Sequence, residues 1–191
     1  MLFAVIVLQA LLSIGGISCG HASPELEPAL VIQPSVLGDN LRGDASSPIP
    51  WLQLEGYVNL IADVSQFRSI SILKGHRVNV NIVGGNWTNP DGSLLAKIIP
   101  NIGGEQGYID ATDVLHIDVR YVLQFVSDNK YGHVRLSGLG KAGVSNKVIV
   151  TVETDSTANL KFNNQLLYTP GIFSGSRLTA PIWAFVDGPE V

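Results

Sequence analysis

The amino-acid sequence predicts an all-β fold: a single antiparallel β-barrel, lipocalin-like and closed or nearly closed, with an extended N-terminal arm. No segment sustains the period of about 3.6 residues that marks an amphipathic helix. Several segments instead alternate apolar and polar residues, as half-buried strands do. Twenty glycines and turn signals at intervals of roughly 8–12 residues separate these segments, a pattern typical of an antiparallel barrel or sandwich. A closed barrel also protects a β protein from edge-to-edge pairing.

The first 22 residues predict a secretory signal peptide. Residues 2–12 are apolar apart from one glutamine, a run too short to span a bilayer, and no charged side chain occurs before Glu25. Gly20 and Ala22 supply the small residues of a cleavage site after Ala22. A buried N-terminal helix is the alternative. The signal implies entry into the secretory pathway, with the protein secreted or held in a vesicular or vacuolar lumen.

Residues 23–50 predict an extended arm, because half of the ten prolines lie there. Cleavage after Ala22 removes Cys19, the only cysteine, so the mature chain has neither a disulfide nor a thiol nucleophile. Asn86-Trp87-Thr88 is the only N-x-[ST] sequon. In a secreted chain Asn86 is therefore a candidate glycosylation site, and the alternative is an unmodified loop asparagine.

The barrel domain, residues 51–191, is predicted strand by strand. Residues 52–60 alternate apolar and polar positions, and Val78, Val80 and Ile82 share one face of residues 76–83. Residues 114–126 give the longest alternation. Apolar and β-branched runs predict further strands at residues 70–73, 94–99, 131–139, 147–153 and 182–186. Residues 160–168 predict a short helix, and residues 103–107, which hold three glycines, predict a loose loop.

Composition and motifs argue against several functions. The net charge is −4 and the twelve basic residues form no cluster, so we expect no nucleic-acid partner. No integral membrane segment is expected after signal cleavage. No nucleophile elbow, P-loop, zinc-protease or dinucleotide motif occurs, and His76, His116 and His133 lack metal-ligand spacing. We therefore expect no cofactor and no metal. Apolar small molecules are the expected partners, because tryptophans in a barrel mouth would stack on a flat, apolar ligand.

Two polar stripes carry the candidate chemistry. One strand face holds Arg77, Asn79 and Asn81. Another holds His116, Asp118, Arg120 and Gln124. Each stripe faces either bulk water or a polar lumen. Asp118 and Arg120 lie two residues apart, roughly 6–7 Å along a strand, which allows a charge pair. In a partly dry lumen, the donor fork of an arginine stabilises negative charge that develops on a carbonyl or tropolonate-type oxygen pair.

The three tryptophans, Trp51, Trp87 and Trp183, lie near predicted strand ends or turns. One interpretation is that they pack in the core or on the rim of the barrel. The other is that they stack on a flat, apolar ligand in the barrel mouth.

Short motifs follow one another through the central block of the chain. They are Gly75-x-Arg77, Ile82-x-Gly84-Gly85, Gly92-Ser93-Leu94, Ile99-Pro100, Asp118-x-Arg120-Tyr121, Gly132 and Gly138. In this order and spacing they resemble a widespread small β-barrel family of bacteria and fungi, long labelled as a domain of unknown function. The resemblance covers most of residues 52–186. The family's usual Asp-Trp after a Pro-Gly-Gly turn is replaced by Gly104-Glu105-Gln106-Gly107, so we expect this loop to line a different pocket.

A secreted, glycosylatable chain of this kind resembles the fungal hetero-Diels–Alderases of tropolonic sesquiterpenoid biosynthesis. The resemblance implies a cycloaddition between a tropolone-type quinone methide and a humulene-type alkene. Holding two oriented reactants together supplies on the order of 7–11 kcal/mol without a cofactor. The catalytic candidates are Arg120 and Arg77 as hydrogen-bond donors, Gln124 and His133 as second choices, and Asp118 as acid or base. The substrate-binding candidates are Trp51, Asn79, Trp87, Tyr108 and His116, of which Asn79 is also a possible donor and His116 a possible acid or base.

Other functions stay open on the sequence alone. The absence of a catalytic motif also fits a non-catalytic secreted barrel that binds or carries apolar small molecules. A lyase or isomerase would use Asp118 and His116 as acid and base. Exposed strand edges and the extended arm predict a homodimer, because either feature can engage a second copy.

Overall fold

A computed structural model describes residues 51–187, and within them a single sheet of ten strands. The strands are β1 (Trp51–Ile72), β2 (Gly75–Thr88), β3 (Leu94–Glu105), β4 (Tyr108–Asp110), β5 (Leu115–Phe125), β6 (Tyr131–Lys141), β7 (Ser145–Thr154), β8 (Leu167–Thr169), β9 (Phe173–Ser174) and β10 (Arg177–Val186). A 3-10 helix spans Thr157–Asn164. The predicted signal peptide and arm lie outside the described residues.

The sheet closes on itself through β1, which pairs with β10 over residues 51–61 and with β2 over residues 57–72. Around the ring the order is β1, β10, β8, β7, β6, β5, β3, β2 and again β1, with every pairing antiparallel. β4 follows β3 along the chain and, like β3, lies between β2 and β5. β9 pairs with β10. The predicted antiparallel barrel is confirmed.

The inward-facing side chains of the ring form one apolar core. Leu123, Phe125 and Val134 have no exposed surface, and they alternate along β5 and β6 with outward-facing residues. This alternation is the period of two that the sequence showed. Because apolar side chains fill the space between the strands, the described interior is a packed core and not a polar lumen.

One end of the barrel is plugged by the 3-10 helix. Its Phe162 is buried against Phe125, with ring centroids 6.2 Å apart, and its ring edge meets Trp87 at 6.1 Å. The predicted helix over residues 160–168 is therefore wrong in its second half, where the chain extends into β8. Leu167 is fully buried between β7 and β10, so burial in the ring decides the extended conformation there.

At the opposite end, here called the far end, six strands run on past β8 and β10. They are β1, β2, β4, β5, β6 and β7, and no described strand pairs with the outer edge of residues 63–72 in β1. The predicted loose loop at residues 103–107 is partly wrong, because Gly103 and Gly104 belong to β3 and pair with β5. No helix among residues 51–187 has the length and apolar character needed to cross a membrane.

Candidate functional site

Both polar stripes lie on the outside of the barrel. Arg77, Asn79 and Asn81 alternate with Val78 and Ile82, which are buried in the core. His116, Asp118 and Arg120 alternate in the same way with buried residues of β5. The lumen that would have held them is filled by these apolar partners, so any ligand must meet the two stripes at the outer surface.

Strand register brings residues of both stripes into one row across the far end. Arg77 lies opposite Tyr108, and Tyr108 lies opposite His116. Directly opposed residues in antiparallel strands point to the same face. Ile70 on β1 and Leu139 on β6 flank this row, and each is 54% exposed, so the polar cluster has an apolar border on both sides.

Tyr108 and His116 form the centre of this cluster. Their rings stack with centroids 4.2 Å apart and an interplanar angle of 5°. The Arg77 guanidinium carbon lies 5.9 Å and the Lys74 Nζ 5.3 Å from the Tyr108 ring centroid, within the range of cation–π attraction. The row thus presents a flat aromatic surface beside two positive charges.

Asp110, the last residue of β4, orients His116. The His116 Nε2 lies 2.8 Å from the Asp110 Oδ2, and both side chains are only partly exposed. The hydroxyl and backbone amide of Thr112 donate to the Asp110 Oδ1 at 2.7 and 2.8 Å. Hydrogen bonds from Thr112 and then His116 hold the pKa of Asp110 well below its usual range. Asp110 is therefore a carboxylate at neutral pH, as an orienting partner for a histidine must be.

A groove of about 540 Å³ lies beside this cluster, where β1, β2 and β3 meet. Its walls are Gln66 of β1, Asn79–Asn81 of β2 and residues 103–106 at the end of β3. β2 and β3 pair at Asn81 and Gly104 and pair again at Asn86 and Lys97. Between these two points their pairing is interrupted. Residues 104–106 belong to the segment expected to line a distinct pocket, and here they form a groove wall.

An arginine stands at each border of the groove. Arg77 donates from Nη1 to the Gln106 carbonyl oxygen at 2.7 Å. Arg120, on β5, lies directly opposite Gly104 of the groove wall. Gly104 has no side chain that would stand between Arg120 and the groove. Arg120 is held in place by Asp118, whose two carboxylate oxygens each lie 3.3 Å from a guanidinium nitrogen. Arg135 on β6 reaches the same carboxylate at 3.5 Å.

Two polar groups on the groove walls lack full hydrogen bonding within the described residues. The Asn79 Nδ2 atom is buried and has no acceptor. The Glu105 Oε1 accepts from the backbone amides of Gly107 at 2.7 Å and Asp118 at 3.2 Å, while no described group donates to its Oε2. Burial raises the pKa of the Glu105 carboxyl, the two amides oppose this shift, and the negative charge of Asp118 adds to it.

Several candidate residues lie elsewhere. Trp87, a predicted ligand wall, is 2% exposed in the core and donates from Nε1 to the Tyr121 hydroxyl at 2.9 Å, because its ring fills the plugged end. Trp51 is 59% exposed where β1 begins. Gln124 is bonded to the Asn129 carbonyl at 3.0 Å, and the exposed His133 lies opposite Val122 on the outer face. None of these lines the groove.

The candidate glycosylation site, Asn86, lies in β2 opposite Asn59 of β1. Its Oδ1 accepts a hydrogen bond from the Asn59 Nδ2 at 2.9 Å. This pair sits on the outward face, because the neighbouring Trp87 points into the core. Glycosylation of Asn86 stays a prediction.

Sequence reasoning missed Glu105 and Asp110 as site residues. Glu105 stood inside a predicted glycine loop, and only the pairing of β3 with β5 brings its carboxyl against the Asp118 amide. Asp110-x-Thr112 did carry a turn signal, but contact with His116 depends on the fold of β4 against β5. Within the described residues, no three His, Cys, Asp or Glu side chains are grouped closely enough to hold a metal ion.

No protein-family model matches the chain. Among curated proteins, it is 25% identical to Glycerol uptake facilitator protein-like 6 of Lactiplantibacillus plantarum over 192 residues, which covers 99% of this chain and 76% of that protein. This identity is too low to show a shared family.

Solved structures share the barrel fold. A conserved protein of unknown function from Rhodopseudomonas palustris matches with a TM-score of 0.65 and 13% identity, over 73% of this chain and 100% of that one. A β-barrel-like protein from Acinetobacter baumannii matches at 0.63 and 17%, over 74% and 99%. An enzyme from Penicillium herquei matches at 0.59 and 19%, over 75% and 99%. The chain therefore has the fold of a set of small barrels that includes a fungal enzyme.

Proposed function

We propose that this protein is a cofactor-independent enzyme that joins two small molecules in the groove, by a hetero-Diels–Alder cycloaddition between a tropolone-type quinone methide and a humulene-type alkene. The observation that carries the proposal is the placement of Arg77 and Arg120 at the two borders of one groove. The similarity in fold to a fungal enzyme also favours catalysis over simple binding.

The arrangement suits a reaction in which an oxygen atom gains electron density. In the cycloaddition the carbonyl oxygen of the quinone methide becomes the ether oxygen of the new ring and carries negative charge in the transition state. A guanidinium donor aimed at that oxygen stabilises the charge. Asp118 restricts the motion of the Arg120 side chain, which lowers the entropic cost of presenting it.

The apolar reactant has a surface to rest on at the far end. Exposed Ile70 and Leu139 flank the stacked rings of Tyr108 and His116, beside Arg77. Contact with this border brings the alkene next to the groove, and catalysis then comes from orientation rather than from a covalent nucleophile.

The test combines product analysis with matched variants. The protein, purified from a secreting host, is mixed with a quinone-methide precursor of the tropolone class and a humulene-type alkene. Cycloadducts are quantified by chiral chromatography against reactions with no protein and with heat-denatured protein. We expect a faster reaction with one dominant stereoisomer, and a rate lowered about tenfold to hundredfold by Arg77→Gln or Arg120→Gln.

Arg135→Gln is the matched control, because Arg135 binds the same Asp118 carboxylate from one strand farther away from the groove. It should leave the rate unchanged. An unaltered spontaneous mixture of stereoisomers would refute the proposal for these substrates. Tight binding without turnover would instead indicate a carrier.

A second candidate, a lyase or isomerase, is favoured by the His116–Asp110 pair. A histidine 2.8 Å from a carboxylate that is ionised at neutral pH has the geometry of an oriented general base. In this function the partner of His116 is Asp110 and not Asp118, which is bound to two arginines. Loss of proton exchange from a weakly acidic substrate in both His116→Gln and Asp110→Asn would support it.

A further inference from the structure

We propose that one side of the outer barrel wall is a lipid-binding surface, with which the protein rests on a zwitterionic bilayer. This surface, here called the apolar side, lies on the outer faces of β1, β10 and β8. The inference goes beyond the proposed function and does not rest on it. It gives a role to a set of side chains that neither the groove nor the far end uses: Leu52, Leu54, Tyr57, Tyr168, Trp183 and Phe185.

Strand pairing makes the apolar side continuous, because directly opposed residues of antiparallel strands point to the same face. The opposed pairs are Leu52–Phe185 and Leu54–Trp183 across β1 and β10, and Trp183–Tyr168 across β10 and β8. That face is the outer one, since Ile182 and Ala184, which alternate with these residues on β10, are buried in the core.

A β-bulge in β1 keeps charge away from this side. The register of β1 against β10 shifts just after Leu54, so Tyr57, three residues later, also faces outward. Glu55, between them, is buried instead, and its carboxylate pairs with the Lys161 Nζ of the 3-10 helix. Glu55 is the only charged residue in the three segments that build this side, which are residues 51–61, 167–169 and 178–186.

Charged residues of the outer wall lie across the ring from the apolar side. In the strand order β5 and β6 stand opposite β10 and β1, and their outer faces carry Asp118, Arg120 and Arg135 in one ion-pair network. The described barrel is therefore amphipathic around its circumference. An interfacial helix has the same division, with its apolar face at the boundary of headgroups and acyl chains and its charges in water.

The side chains of the apolar side suit a lipid surface. Leu52 is 48% exposed and Tyr57 is 36% exposed. Tyr57, Tyr168 and Trp183 each join an apolar ring to a polar atom, and such side chains concentrate where acyl chains meet headgroups. Tyr168 packs edge-on against Phe185 with ring centroids 6.5 Å apart, so the aromatic rings form one connected surface.

The polar groups that border the apolar side are bonded to one another. The Thr179 hydroxyl donates to the Asn59 Oδ1 at 2.8 Å, and the Asn59 Nδ2 donates to the Asn86 Oδ1 at 2.9 Å. A specific protein partner forms directional hydrogen bonds at the rim of its interface. Paired border groups around an uncharged centre instead fit an occupant that binds through buried apolar area, as a bilayer does.

Flotation with phosphatidylcholine vesicles, which carry no net charge, tests the inference on the protein purified from a secreting host. We expect the protein to float with the vesicles. Leu52→Glu and Tyr57→Glu should each weaken partitioning about tenfold or more, because a charge then enters the buried area. Val144→Glu is the matched control and should leave partitioning unchanged, because Val144 is 62% exposed between β6 and β7, outside the apolar side. Circular dichroism should show the same fold in all three variants.

Salt separates this contact from adsorption driven by charge. Partitioning should be unchanged in about 0.5 M sodium chloride, because the apolar side has no charge to be screened. Binding that is lost in salt, or that requires anionic lipid, would overturn the inference. Equal partitioning of the unmodified protein, Leu52→Glu and Tyr57→Glu would also overturn it, since the contact would then lie elsewhere in the chain.

Fluorescence quenching by lipids with brominated acyl chains locates the contact. Trp183 should be quenched, and Trp87, which is buried in the core, should not. The quenched fraction should therefore fall in Trp183→Phe, and an unchanged fraction would contradict the proposed orientation. Failure to bind vesicles, with a mass by light scattering that halves in Leu52→Glu, would show that a second copy covers the apolar side and would overturn lipid binding.

Discussion

At the scale of the residue, the hydrogen bond between Trp87 and Tyr121 shows how the core constrains its polar atoms. Both side chains are buried, and the indole Nε1 donates to the phenol oxygen at 2.9 Å. Burial raises the pKa of Tyr121 well above its usual range, so the phenol stays neutral wherever the protein is folded near neutral pH. The sequence left Trp87 open between packing in the core or rim and stacking on a ligand, and the partner that selects the core is 34 residues away.

Tyr121→Phe should lower the free energy of unfolding by about 1–3 kcal/mol, because it leaves the Trp87 Nε1–H buried without an acceptor. Urea denaturation followed by tryptophan fluorescence measures the change. Tyr131→Phe is the control, because Tyr131 is 57% exposed, and we expect a change below about 0.5 kcal/mol. Equal effects of the two changes would contradict a stabilising role for the buried hydrogen bond.

At the scale of the element, the end of β3 depends on Gly103. This residue has a φ of +105°, which side-chain-bearing residues rarely adopt, and a Cβ there would lie 2.0 Å from the Arg120 carbonyl oxygen. Both constraints come from the pairing of β3 with β5, which carries the chain past Gly104 to Glu105. Sequence patterns indicated a loop because glycines normally weaken a strand, and only the partner strand explains why they are needed here.

Gly103→Ala should destabilise the barrel by about 3 kcal/mol or more, since backbone strain adds to a clash with backbone that cannot move aside. Gly92→Ala also forces a positive φ, +86°, but nothing lies within 4 Å of its Cβ, so a cost of about 1–2 kcal/mol is expected. Thermal unfolding followed by circular dichroism compares the two. A smaller loss in Gly103→Ala than in Gly92→Ala would show that the close approach of β5 is unimportant.

At the scale of the whole molecule, ring closure removes most but not all strand edges. Residues 63–72 of β1 extend beyond β10, and no described strand pairs with their outer side. Ile70 in this segment is 54% exposed. An uncovered edge with an apolar side chain favours pairing with a second copy. We therefore expect the predicted homodimer to form through residues 63–72.

Light scattering after size exclusion should therefore give twice the chain mass. Ile70→Lys places a charge on the free edge and should weaken self-association at least tenfold, as judged by dilution. Val126→Lys is the control, because Val126 is 45% exposed but follows β5 at the plugged end. A monomer in the unmodified protein, or equal weakening by both variants, would contradict dimerisation through this edge.

Alternation along β5 and β6 was enough to predict strands with one buried face, because a period of two commits one face of each strand to the core whatever the neighbouring strands are. That the sheet closes into a barrel is shown by the pairing of β1 with both β10 and β2. The same alternation placed His116, Asp118 and Arg120 on one face. It left open whether that face looked inward, because both faces of a strand have the same period, and only the ring of packed apolar side chains shows that it is the outer one.

What the tertiary structure alone decided is which residues meet. Arg77, Tyr108 and His116 share a row because β2, β4 and β5 pair in one register, and a shift of one residue would turn each to the other face. Glu105 and Asp110 gain their partners through contacts between segments distant in sequence or across strands. The sequence by itself determined that each strand has one apolar face and which polar side chains of β2 and β5 share the other. Strand register, set by closure around the core, determined the site.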